Sequence, residues 1–494
     1  MRQATGVDIS DVRFLALVPP GTNARSIFCD LLRGLQSAGH DVLFEDITFF
    51  VVEHQRRTQA AGGRADSPAR ELQQTYLSHL CRTVSARSCD AIITLWVDPL
   101  MLLPWDRTEG RTTSALAGLD VPILHFWLDA PFWAYGGRLL PALDRSRFAD
   151  PPHVHLVNNR GTAEEMAAIL GLRRTHTLPY GVDTTTFSPW RGVQPQFDLA
   201  VNAGPGDPPP SPFMLEQLTC SRPDVGAIRR DQAARVHGRL TSIIRGTMPD
   251  ADAASADALA AAWVQEQLAD PDRPMLDKFK AAAGASNLAG QFADQLLSVG
   301  NLGVVWAEAT SAVREIESWQ RPFTAAYLSR QFHTVFIGDG YTQWQRQGWP
   351  VRGHAAGSVP YHELALWYAR SKVALNVMRY QDDVGLNPKV LEITGSGTPA
   401  LVRHRADLDS FFRLDGAEPE LLSFREPAEA AEHLRLALAD CRLLEHVGAA
   451  GRTRTTREHD WAHRADVLVR AARTAASAPT VHLPIEPALC AARS

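Results

Sequence analysis

Short apolar runs that end in turn formers alternate along this chain with amphipathic helical patterns, and this alternation restricts the fold more than any other feature. VRFLALVPP (12–20) precedes a helical stretch with Ile27, Leu31, Leu32 and Leu35 on one face, which ends at Gly39 and leads into HDVLFEDI. A continuously apolar strand is buried on both faces, and a helix joining two such strands makes them parallel. CDAIITLWV (89–97), VPILHFWLD (121–129) and HVHLVNN (153–159) extend the series, with RGTAEEMAAILGL (160–172) as a further helix. The pattern predicts an α/β fold built on doubly wound parallel sheets, whose ligands sit beyond the carboxyl ends of the strands.

A length of 494 residues calls for two or three domains. The net charge of −5 argues against a nucleic-acid binder, which carries a basic excess or stripe. The cysteines (Cys29, Cys81, Cys89, Cys220, Cys441 and Cys490) show no CxxC spacing, so neither a disulfide framework nor a zinc site is expected. MRQATGVDIS has no apolar signal core, and no run is long enough to span a membrane. These features predict a cytoplasmic protein without a transmembrane segment.

The second half repeats the alternation. FDLAVNAG (197–204) reads as the first strand of a new sheet, and GPGDPPPSP (204–212) is too rich in Pro and Gly for an element interior. Residues 213–309 form an Ala-rich helical insertion, either a partner or acceptor surface or a packing appendage. Strands resume at HTVFIGDGY (333–341), KVALNV (372–377) and PALVRH (399–404). The expected organisation is a first domain over 1–190 and a second over 196–475. A terminal helix at about 458–475 belongs to the second, and a loosely ordered tail covers 476–494.

DDVGLNPKVLE (382–392) is where chemistry is expected. Asn387 and Pro388 open a helix, Lys389 lies in its first turn and Glu392 follows three residues on. Free N–H groups and a partial positive charge at a helix N-terminus suit a phosphate, Lys389 adds a full charge, and Glu392 can accept from sugar hydroxyls. The plainer readings are a surface lysine and a glutamate that stabilises its own helix. Asp129, at a strand's carboxyl end in FWLDAPFW, is either a general base or a turn cap. The glycines of Gly338-Asp339-Gly340 permit close approach of a ligand or serve a tight turn. His125, His354 and His404 read as structural or surface residues. His459 and His463 are not expected to bind metal.

SVPYHELALWYARSKVALNV (358–377), GLNPKVLEITGSGTPALV (385–402), DLDSFF (407–412) and HVGAAGRTRTTREHDWAHRADVLV (446–469) together resemble the C-terminal domain of bacterial glycosyltransferases related to the spore-maturation protein CgeB. FWLDAPFW (126–133) is similar to their aromatic-x-Asp-x-Pro motif, and LPYGVDTTTFSP (178–189) resembles the hinge segment of retaining relatives. The resemblance implies a GT-B fold, two Rossmann-like domains facing a cleft. It also implies transfer of a sugar from a UDP-, GDP- or dTDP-sugar to a glycan, protein or small-molecule acceptor, with retention and without a metal. Glu392 would hold the ribose, and Lys389 and Asn387 the diphosphate. Ser358, Val359 and Tyr361 would lie near the base, with Asn376, Gly338 and Asp339 on the donor side. The N-terminal domain would bind the acceptor through Gly21, Thr22 and Asp129. Asp129 and Lys389 are the catalytic candidates. The chain departs from the wider retaining group at Val384, where an acid is common, and at Lys389, which replaces an Arg. The competing readings are a nucleotide-sugar epimerase and a catalytically silent scaffold whose insertion binds a protein.

Overall fold

The computed structural model of the chain describes residues 12–21, 23–60, 67–97, 105–108, 111–114, 121–134, 139–140, 143, 148, 152–247, 252–299, 301–381, 383–416 and 418–477. They fall into two compact units, Met1–Pro179 with Trp461–Ser494, and Tyr180–Asp460. Thr22 lies outside the described residues, as does the tail beyond 477.

The first unit contains β1 (Arg13–Val18), α1 (Asn23–Ser37), β2 (Asp41–Asp46), α2 (Thr48–Ala60), α3 (Ser67–Arg87) and β3 (Ala91–Leu95). It continues with β4 (Trp105–Thr108), β5 (Arg111–Ser114), β6 (Ile123–Trp127), β7 (His153–Val157), α4 (Arg160–Leu170) and β8 (Thr175–Thr177). Six strands form one parallel sheet in the order β2-β1-β3-β6-β7-β8, while β4 and β5 pair antiparallel. The apolar face predicted for α1 is buried, and Gly39 takes the left-handed conformation (φ 96°) in the turn that follows the helix. Asn159 caps α4 by accepting from Thr162 N, and Gly171 ends it at φ 69°. Helices α2 and α3 were not foreseen, because neither shows a clear apolar stripe in its sequence.

The expected domain assignment needs correction at both ends. The terminal helix, Ala465–Ser477, belongs to the first unit and not the second. Trp461 just before it is buried, edge-on to Phe126 at 5.9 Å, and Arg464 Nε donates to Pro179 O at 3.0 Å. Its seat is shaped by Gly34 of α1, where an added Cβ would stand 2.4 Å from Trp461 Cβ and 2.9 Å from Ala462 N. The boundary expected near 190 moves to Pro179 because residues 183–189 are fastened within the second unit. There Thr184 Oγ1 donates to Asp460 at 2.6 Å and Arg452 Nη1 donates to Phe187 O at 2.7 Å.

Under that sheet lies a stack of buried histidines. His125 and His155 pair across β6 and β7 with ring centroids 5.0 Å apart, and His153 joins them, its Nδ1 3.0 Å from His125 Nε2. Thr94 Oγ1, Trp127 Nε1 and Phe148 O complete the set. His125 is thus a structural residue with partners. Burial keeps all three neutral: with the neighbouring rings it pushes His125 well below its ordinary value and His153 down to about 3, and it lowers His155 to about 4 against the hydrogen bond to Phe148 O.

The second unit opens with β9 (Phe197–Asn202) and then the insertion, α5 (Pro212–Gln217), α6 (Val225–Thr247), α7 (Ala253–Ala269), α8 (Met275–Gly284), α9 (Asn287–Leu297) and α10 (Leu302–Arg314). Trp263, Phe279 and Trp306 pack ring to ring at 4.8–5.5 Å and give the insertion an apolar centre of its own. Then come α11 (Gln320–Ser329), β10 (Thr334–Ile337), α12 (Gly340–Arg346), β11 (His354–Gly357), α13 (Leu364–Ala369), β12 (Ser371–Asn376), α14 (Pro388–Gly395) and β13 (Ala400–Arg403). The unit closes with α15 (Leu408–Phe411), β14 (Leu422–Phe424), α16 (Pro427–Ala439) and α17 (Cys441–Glu458). Its parallel sheet runs β11-β10-β9-β12-β13-β14. Both units are therefore doubly wound α/β, as the alternation predicts. No helix among the described residues is long and apolar enough to cross a membrane.

Two outcomes test this packing. Gly34→Ala should cost about 1–3 kcal/mol by overpacking against Trp461 and should make the Trp461–Ser477 segment the first site of limited proteolysis. The histidine stack takes up protons on unfolding near pH 6.5 but in the folded state only near 4 or below. The unfolded state therefore binds more protons as pH falls below about 6.5. Stability should drop by roughly 1.4 kcal/mol per pH unit for each histidine, and denaturant titrations of His153→Gln should show a shallower acid arm.

Candidate active site

In the second sheet the strand order reverses between β9 and β12, since the chain winds outward from β9 through β10 to β11 and then from β12 the other way. A crevice forms at the carboxyl ends of such strands, where loops part to opposite faces. Here those ends carry Asn202, Asn376 and the loop that leads into α14.

Helix α14 starts as its sequence predicts, with Asn387 as N-cap in an extended conformation (φ −91°, ψ 162°) and Pro388 at the first helical position. The Asn387 side chain makes no cap bond. It exchanges two amide hydrogen bonds of 3.2 Å with Asn376, so the end of β12 and the start of α14 are tied together. The Asn387 side chain therefore does not cap α14, whose start carries the positive end of the helix dipole. Lys389 is half-buried in that first turn.

Glu392 lies one turn further and is buried. Burial pushes its carboxyl up to about 7, against the opposing pull of Lys389 and of hydrogen bonds from the hydroxyls of Tyr361 and Tyr368. Tyr368 Oη accepts from Asn202 Nδ2 at 2.8 Å, which links Glu392 to the end of β9. Burial and the carboxyl together push the Tyr368 hydroxyl well above its ordinary value. The second carboxyl oxygen of Glu392, Oε2, is buried and has no hydrogen-bond partner among the described residues. An acceptor left over in this way has room in its bonding for a donor hydroxyl. Tyr361 also meets Phe187 edge-on at 5.2 Å.

The turn after β10 answers the question its glycines raised. A Cβ on Gly338 or Gly340 would come within 2.8 and 2.6 Å of Ala203 O, so both glycines let two loops of the protein pack backbone to backbone. Asp339 accepts from Ser358 Oγ at 3.0 Å, which joins that turn to the end of β11 and sets Val359 and Tyr361 beside it. The acid one residue before Val384 is committed elsewhere. Asp383 is buried and clamped by Arg314, and Val384 is buried in the core. His404 pairs with Asp409 at 3.2 Å, and His354 stacks on Phe197 at 5.7 Å.

Sequence reading missed Tyr368, Asn202 and the exposed Arg379, which reaches the Pro205 carbonyl across the mouth of the crevice. Tyr368 carried a usable signal, since YHELALWY repeats an aromatic hydroxyl two turns on. In the first unit Gly21 is exposed at the end of β1, and Asp129 is exposed just past β6. Among the described residues no group of His, Cys, Asp and Glu is arranged to hold a metal ion.

Residues 314–470 match a protein-family model described as glycosyl transferase-like. That matched segment spans less than half of the chain. It contains β10 to β14 and α14, hence every site residue of the second unit except Asn202. No curated protein matches the chain by sequence. Among solved structures, sucrose-phosphate synthase from Thermosynechococcus elongatus aligns with a TM-score of 0.48 and 10% identity, covering 94% of this chain and 99% of that one. Anabaena Alr3699/HepE, in complex with UDP and glucose, gives 0.45 and 10% identity over 94% and 100%. T4 phage β-glucosyltransferase, in complex with UDP and Mn2+, gives 0.45 and 8% identity over 93% and 99%.

The titration of Glu392 yields a direct check. Its folded value lies above the ordinary carboxylate range, so its contribution to stability is full below about pH 4.5 and is lost as pH rises through about 7. Native protein should lose about 3 kcal/mol across that window relative to Glu392→Gln, measured by denaturant unfolding at each pH.

Proposed function

We propose that this protein is a GT-B glycosyltransferase that moves a sugar from a nucleoside-diphosphate donor to an acceptor hydroxyl. One observation carries the reading. The start of α14, with Asn387 turned to Asn376 and Lys389 in the first turn, and the buried Glu392 with an unfilled acceptor oxygen stand together at the strand-order reversal of a segment that matches a glycosyl transferase-like model. In this reading the helix N-terminus and Lys389 receive the diphosphate, and Asn387 and Asn376 fix the direction of that helix. Glu392 Oε2 accepts from a ribose hydroxyl, and Ser358, Val359 and Tyr361 border the base. Gly338 and Asp339 support this loop from behind. UDP is the first nucleotide to test, as it is the one bound to Alr3699/HepE and to the T4 enzyme.

The chemistry follows from charge. Breaking the sugar–phosphate bond leaves negative charge on the diphosphate, and preorganised N–H groups with a cation lower that barrier without reorganisation. Lys389 supplies positive charge where it develops, which favours metal-independent transfer. The first unit takes the acceptor, with Gly21, Thr22 and Asp129 as its contacts. Asp129 serves as base if the outcome is inversion and as an acceptor-orienting group if it is retention, the outcome favoured by the CgeB-like motifs. Neither Asp383 nor Val384 offers the donor sugar a carboxylate.

The test is hydrolysis and binding across UDP-, GDP- and dTDP-sugars in the presence of EDTA. Native protein should bind and slowly hydrolyse at least one donor. Glu392→Ala should lower kcat/KM about 10- to 100-fold, and Lys389→Ala should lower kcat by roughly 100-fold or more. If no nucleotide sugar binds or turns over, the transferase reading fails.

A further inference from the structure

Insertion helices that merely pack against a domain meet it through apolar side chains. This insertion meets the donor loop through buried charge. Asp383 lies four residues before Asn387, in the loop that ends at α14. Arg314, the last residue of α10, grips its carboxylate with Nε at 3.0 and 3.1 Å and Nη2 at 2.6 Å. Lys278 of α8 stands 3.9 Å away and is itself held by Gln267 of α7 at 2.7 Å and by Pro271 O at 2.8 Å. From the sheet side, Arg405 Nη1 donates to the Asp383 carbonyl at 3.1 Å and to Asp272 of the insertion at 2.8 Å. Asp272 also takes Arg403 at the end of β13. The next backbone group is fixed too, since Asp407 N donates to Val384 O at 3.2 Å.

We infer that the insertion is a scaffold for the donor site and that Asp383 is the positioning residue through which it fixes the loop entering α14. The inference rests on the function proposed above. Buried ion pairs are a costly way to gain stability, because apolar groups of the same shape hold a core equally well. What a bidentate carboxylate–guanidinium pair adds is a single geometry, one that resists sliding or rotation. Two insertion helices, α10 through Arg314 and α8 through Lys278, converge on one carboxylate, and that carboxylate sits one turn of chain ahead of the Asn376–Asn387 tie. Burial works to raise the Asp383 carboxyl, but Arg314, Lys278 and Arg405 together hold it below its ordinary value, so it stays ionised. Burial lowers Lys278 to about 8, with Asp383 opposing that shift.

The experiment compares Asp383→Asn and Arg314→Lys with Leu259→Ala, which hollows the insertion's apolar interior at a fully buried position. Two readouts are taken on the intact protein: hydrogen exchange of the amides from Gly385 to Lys389, and the Kd for UDP. Asp383→Asn and Arg314→Lys should each speed exchange in that loop at least 10-fold and weaken UDP by at least 10-fold. Leu259→Ala should lower the melting temperature and leave both readouts within 2-fold of native. The inference is overturned if loop exchange is unchanged in the Asp383 and Arg314 variants, or if Leu259→Ala moves it equally. Faster loop exchange in the two variants, with a native protein that binds no nucleotide, would retain the scaffold and sink the donor-site reading with its positioning role.

Discussion

Two amide side chains set the geometry of the second unit's site. Asn376 and Asn387 exchange hydrogen bonds across the gap between the end of β12 and the start of α14. Asn387 would otherwise bend back to cap its own helix, as Asn does at most N-termini. Its side chain goes instead to Asn376, which fixes the start of the helix against the carboxyl end of β12. The stations of Lys389 and Glu392 on the first turns of α14 follow from that one tie.

Glu392 illustrates how a carboxyl is kept near its titration point. Burial alone would drive it to the neutral acid. Lys389 and the two tyrosine hydroxyls pull the other way, and the balance falls close to neutrality. Tyr368 answers to both Asn202 and Glu392, so the ends of β9 and α14 share one hydrogen-bonded chain. Asn202, Tyr368 and Glu392 thus sit on regular elements, while the loop between β12 and α14 is held from outside by Arg314 and Arg405.

What the sequence made legible was local. Apolar runs, the Gly39 and Gly171 stops and the Asn-Pro start of α14 are signals read within a few residues, and they located both sheets and the opening of the site. Partnerships formed across long stretches of chain were not legible. Nothing near Asp383 announces that Arg314 and Lys278 will meet it. Trp461 looked like one more residue of the second domain, because its match, Gly34, lies at the far end of the chain. The partners of His125 were hidden for the same reason, since strand pairing alone brings it into a stack with His153 and His155. Helices α2 and α3 were missed for a different one: they lack an apolar stripe, and their helicity comes from packing rather than from periodicity.

The return of Trp461 to the first unit has a consequence for synthesis. Domains emerging from a ribosome commonly fold in the order in which they are made. Here the first unit's strands are all present once Thr177 has emerged, yet the groove over Gly34 and Phe126 stays open until Trp461 arrives. The whole second unit is translated in between. The nascent chain must keep a nearly finished sheet with an exposed apolar seam while the second unit folds behind it, and the segment that closes the first unit is made only after the second.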